Sequence, residues 1–150
     1  MTGTTLLKRL SRLGPGEALL LAEAGILLAL ASIAIRLLPF KTVVGAIGSG
    51  LGRRPRARAS ADPNRLCWAV RASAPYLPWR IVCFQKGLAL HLMLRRRGIP
   101  SRLRYGVAQR PEQGLAAHVW VSVGNEVLIG GEEAAGFTCL ATFPADAAPR

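Results

Sequence analysis

Two side chains in this 150-residue chain have the types that acyl-transfer chemistry needs, Cys83 and His118. Cys83 opens a run, Val82 to Arg97, in which Leu88, Ala89, Leu92 and Met93 recur at helical spacing. A thiol at a helix start sits among unpaired N–H groups and at the positive end of the dipole, which favours the thiolate. His118 lies in Ala117 to Val123 (AHVWVSV), whose strict alternation predicts a strand. An imidazole on a packed strand beside such a thiol accepts its proton. The sulfur then attacks a carbonyl, and N–H groups at the helix start hold the oxyanion. A bland reading stands beside this one. Free cysteines are among the most buried residue types, and a strand histidine also serves as a hydrogen-bonded core residue.

The other candidates are weaker. Cys67 and Cys139 complete an odd set of three cysteines without paired spacing, so no disulfide framework is expected and a reducing compartment fits. There is no CxxC and no Cys/His cluster at metal-ligand spacing, and GxxxxGK[ST] and GxGxxG are absent; no metal or cofactor is expected. His91 falls mid-helix and reads as structural. Trp79 and Gln85 flank Cys83 and either pack or shape an oxyanion or side-chain pocket. Trp120, two residues past His118 on the same strand face, covers the pair or simply packs. Arg95 to Arg97 read as a solvated helix end or as a contact for acidic peptide.

The elements that would position these residues follow from punctuation. Ala18 to Phe40 is a long apolar stretch, ended as a helix near Leu38 by Pro39. Glu17 and Glu23 argue against a signal peptide, and the uncharged run between Glu23 and Arg36 is too short to span a bilayer. A buried or partner-facing helix is expected, with membrane association as the other reading. Lys41 to Gly52 reads as a second, weaker helix. Asp62-Pro63 starts another, with Asp62 as N-cap, and Pro75 and Pro78 break it. Gly98 and Pro100 stop the Cys83 helix. Arg102 to Val107 reads as a strand and Ala108 to Leu115 as a loop. Glu126 to Ile129 pairs back on the His118 strand across Gly124-Asn125, and Gly130-Gly131 closes the hairpin. The layout is α+β, an antiparallel sheet against one helix.

Composition narrows the partners. The chain is 51% hydrophobic, with 20 Lys+Arg against 8 Asp+Glu and a formal net charge of +12. That surplus suits an acidic peptide or a membrane face. Nucleic-acid binding is not expected, because the aromatics are not interleaved with the basic runs.

The run from Cys83, CFQKGLALHLMLRRRGIPSRLRYGV, followed by AHVWVSVGNEVLIGG and FTCLATF, resembles the transglutaminase-like core of lasso-peptide biosynthesis B proteins. The resemblance is to their stand-alone leader-peptidase part and covers about residues 60–143. It implies a papain-like core preceded by a helical extension, with domains at 1–52 (extension), 53–61 (basic linker) and 62–150 (cysteine peptidase). It implies cleavage of a precursor between leader and core, presented by a separate leader-binding protein, since the length leaves no room for such a module here. An asparagine-synthetase-like, ATP-dependent macrocyclase would then close the core. Cytoplasmic location follows. Cys83 and His118 match the catalytic pair by motif. The family's acid, an Asp about a dozen residues past the histidine, has no match in Val127 to Glu133. Glu132 is the nearest acid; Asn125, or no side chain at all, are the alternatives. An acyltransferase on the same core and a non-catalytic basic scaffold remain as other functions.

Overall fold

The computed structural model describes residues 14–48, 61–112 and 114–144. Most of the expected basic linker at 53–61 lies outside them. Helix α1 (Pro15–Leu37) begins with Pro15 in the first turn, where its missing N–H costs nothing. It ends where Leu38, before Pro39, turns extended. Helix α2 (Phe40–Gly48) is short. Helix α3 (Pro63–Ser73) is capped as the sequence suggests, the Asp62 carboxylate accepting from Asn64 N–H at 2.9 Å. A 3₁₀ turn at Ala74–Tyr76 follows. Helix α4 (Cys83–Arg96) is the central one, with Leu88, Ala89, Leu90, Met93 and Leu94 all buried.

Strands β1 (Ser101–Arg110), β2 (Gly114–Val123), β3 (Glu126–Ile129) and β4 (Thr138–Phe143) form one antiparallel sheet in the order β3-β2-β1-β4. A four-residue helix α5 (Gly131–Ala134) stands between β3 and β4. The fold is thus the α+β arrangement expected, with two differences. The segment 108–115 is not a loop: β1 and β2 stay paired out to Arg110 and Gly114, and only residues 111–113 connect them. Cross-strand pairing there overrides a pattern that is weak by itself. In addition β4 closes the far edge of β1, with a register shift at Tyr105/Gly106.

The core joins both halves of the chain. Ala24, Leu27 and Leu28 of α1 share a buried cluster with Leu66 and Val70 of α3, Leu90 and Met93 of α4, and Val119 and Val121 of β2. Gly87 lets α4 approach β2: a Cβ there would stand 2.6 Å from Val119 Cγ1. Val119 and Val121 therefore face α4, and His118 and Trp120 lie on the opposite face. Glu23 forms a two-pronged ion pair with Arg97 just past α4 and approaches Arg96 at 4.0 Å, tying α1 to the end of that helix.

Candidate active site

Cys83 is the first residue of α4, half-buried, with Val82 as N-cap. The first-turn N–H groups of an α-helix have no intrahelical acceptor, so they are available where the thiol emerges. The helix start is fixed by a short polar relay. Val82 N–H donates to Gln85 Oε1 at 2.6 Å, and Gln85 Nε2 donates to Ser32 Oγ of α1 at 3.3 Å. Trp79 Nε1 donates to the same hydroxyl at 2.9 Å, and Ser32 in turn donates to Leu28 carbonyl at 2.8 Å. Gln85 and Trp79 thus hold the helix start through Ser32, a residue the sequence does not single out.

Cys83 and His118 line one cleft of about 400 Å³. Its walls are Cys83 and Lys86 of α4, His118 and Val119 of β2, Ile129 at the end of β3, Gly130 just after it, Arg71 of α3, and Glu132 and Glu133 of α5. β3 pairs with β2 only over Val121 to Val123, so His118 lies beyond the end of that ladder. Trp120 and Phe137 flank its ring, with centroids 6.2 and 5.0 Å away. Trp120 therefore packs beside the histidine on its own strand face.

His118 Nε2 lies 2.9 Å from the carbonyl oxygen of Gly130. A carbonyl only accepts, so Nε2 carries the hydrogen. In the neutral ring the lone pair then belongs to Nδ1. Gly130 is held at φ 77°, and a Cβ there would run into Val119 carbonyl oxygen. Only glycine brings this carbonyl so close to β2.

Glu132 lines the cleft, but its carboxylate accepts from Arg71 at 3.4 Å and is largely exposed. Its own backbone N–H, and then the Arg71 guanidinium, hold it below the usual carboxylate range. Asn125 sits in the β2–β3 turn, away from the cleft lining. Cys67 is buried and donates to Leu128 carbonyl at 3.0 Å; burial pushes its thiol up, against the opposing pull of Arg71. Cys139 is exposed on β4. His91 is buried, with Nδ1 2.9 Å from Ser101 Oγ. Arg96 and Arg97 engage Glu23 rather than the cleft. Among the described residues no group of three or more His, Cys, Asp or Glu comes together to hold a metal.

Cys83 at a helix start and His118 on β2 line the same cleft, which brings to one place the thiol and the imidazole that thiol-dependent acyl transfer needs. The family model of the transglutaminase-like superfamily matches residues 26–142. The chain belongs to that superfamily. The match begins inside α1, the helix that supplies Ser32, and ends within β4. No curated protein and no solved structure matches the chain. Membership in the superfamily fits a cysteine protease or acyltransferase core. Gly130 and Arg71 join Ser32 as site residues missed in the sequence. Gly130-Gly131 is visible there as a hairpin end, but nothing in a glycine's identity says where its carbonyl points.

Proposed function

We propose that this protein is a cysteine peptidase that removes the leader from a ribosomally made lasso-peptide precursor. It would act with a separate leader-binding protein and an asparagine-synthetase-like macrocyclase, in the cytoplasm. The observation that supports the chemistry is the Nε2–H···O=C bond from His118 to Gly130, which leaves Nδ1 as the ring nitrogen able to act as base in the cleft that Cys83 lines. Superfamily membership supports acyl chemistry through a thiol. The choice of substrate is supported by the resemblance of the run from Cys83 through Gly131 to lasso-peptide B proteins.

The steps balance with these groups alone. Nδ1 of His118 takes the Cys83 proton as sulfur attacks the scissile carbonyl. The oxyanion is met by N–H groups of the first turn of α4. Collapse breaks the C–N bond, and the imidazolium returns its proton to the departing core amine. The leader is left as a thioester on Cys83. Water, giving a proton to the same Nδ1, hydrolyses it to the leader carboxylate and restores the thiol.

The test is mass spectrometry of the cognate precursor incubated with the protein and its leader-binding partner, beside Cys83→Ala. Cleavage at one bond by wild type and none by the variant is expected. An intact precursor, with the protein folded and the peptide bound, sinks the reading. A new amide with an added amine, in place of the hydrolysed leader, assigns the core to acyl transfer instead.

A further inference from the structure

Helix α1 is apolar on both sides, and only one side is covered. Ala24, Leu27, Leu28 and Ala31 face the core. On the opposite side Leu19, Ile26, Leu30, Ile33 and Leu37 are exposed, Leu19 by 73% and Leu37 by 76%. At about 100° per residue these five fall within about 60° of one another around the axis. They run about 27 Å along it, at 1.5 Å per residue. Leu38, just past the helix end, is exposed as well. A helix apolar all round is ordinarily covered all round.

The edges of this stripe are basic. Arg36 and Lys41 are exposed at its end. Along one flank Leu19, Ile26 and Leu30 line a groove of about 540 Å³ with Arg96 and Arg97. The acid in that groove, Glu23, is shared between the two guanidiniums, so the flank keeps a net positive charge. The stripe is wholly aliphatic, without the aromatic anchors that mark the centres of protein interfaces.

We propose that this face of α1 seats on an anionic membrane surface. An aliphatic face with a cationic border suits the acyl boundary below acidic headgroups. By length and composition the whole helix, Glu23 included, could cross a bilayer, although the uncharged run between Glu23 and Arg36 is by itself too short. Its other face is committed to the core, so it lies in the plane of the surface instead of spanning it. The occupant is thus a lipid surface rather than an acidic amphipathic peptide or a second copy of the chain.

Flotation of the full-length protein with vesicles tests this. Phosphatidylcholine vesicles containing phosphatidylglycerol should carry it at least about tenfold better than phosphatidylcholine alone, with loss of the difference at high salt. The triple variant Ile26→Gln, Leu30→Gln, Ile33→Gln should lose that binding by about tenfold or more while keeping the wild-type circular dichroism. Should the triple variant fold poorly, Lys41→Gln with Arg96→Gln leaves the stripe whole and should lower binding to anionic vesicles several-fold. Wild-type protein that stays with the buffer, or variants that float as well as wild type, overturn the proposal. So does a wild-type dimer, seen by sedimentation velocity without vesicle binding, that the triple variant dissociates; the face would then belong to a second copy.

Discussion

Gly130 carries two constraints at once, a left-handed backbone and a carbonyl 2.9 Å from His118 Nε2. Replacement by alanine strains the first and drives a methyl into Val119 carbonyl. Gly130→Ala should cost about 2–4 kcal/mol of stability. It should also lower kcat/KM by about 10²-fold at temperatures where the variant is folded, because the imidazole loses its bearing. Glu132→Gln provides the contrast. Its carboxylate is exposed, is held by Arg71, and interacts with the His118 charge less than with Arg71, so the variant should keep kcat/KM within about threefold. A Glu132→Gln loss as deep as that of a His118 variant would move the orienting role to the acid. Cys83 and His118, the pair proposed to make and break bonds, stood out in the sequence as a thiol before a helical run and a histidine on an alternating strand, with a buried core role for each as the bland reading. The carbonyl that holds the imidazole did not stand out, because every residue has a carbonyl and only the path of the chain after β3 selects this one.

Ser32 ties α1 to the start of α4. Its hydroxyl accepts from Trp79 and Gln85, and Gln85 holds Val82 N–H one residue before Cys83. Ser32→Ala leaves two donors without their acceptor in a buried place, at a cost of about 2 kcal/mol. A fall in the unfolding midpoint of about 5 °C is expected. Loss of packing alone would stop there. A positioning role predicts in addition a slower alkylation of Cys83 by iodoacetamide well below the midpoint, with Cys139 labelled at an unchanged rate. Ser32→Thr, which keeps the hydroxyl, should restore the Cys83 rate. Helices and the β2–β3 hairpin were readable because Pro, Gly and Asp62 punctuate them. The outer pairing was not. β4 is an exposed edge strand whose Thr138, Cys139 and Leu140 show no alternation of burial, and its place beside β1 is a long-range contact that no local pattern encodes. The serine was hidden for a similar reason: inside an apolar helix it looks incidental until its partners arrive, Gln85 from α4 and Trp79 from the segment before it.

The molecule as a whole should be sensitive to acid in a defined window. His91 is buried against Ser101, and burial, helped by the charge of Arg95, lowers its pKa from 6.5 to about 4. The unfolded chain therefore binds a proton on this ring at a higher pH than the folded one does. Stability contributed by neutral His91 is present above about 6.5 and is lost as pH falls from there towards 4, by about 3 kcal/mol across the window. A net charge of +12 pushes in the same direction, since protonating carboxylates adds to the self-repulsion. Salt separates the two effects. Repulsion among exposed charges is screened, whereas the cost of charging a buried ring is not. Urea midpoints taken at pH 7 and pH 4.5 should differ strongly at low salt and still differ at high salt. His91→Gln keeps a polar partner for Ser101 and cannot take the proton, so the difference that survives salt should largely vanish in it. A high-salt difference unchanged in His91→Gln would place the acid sensitivity elsewhere.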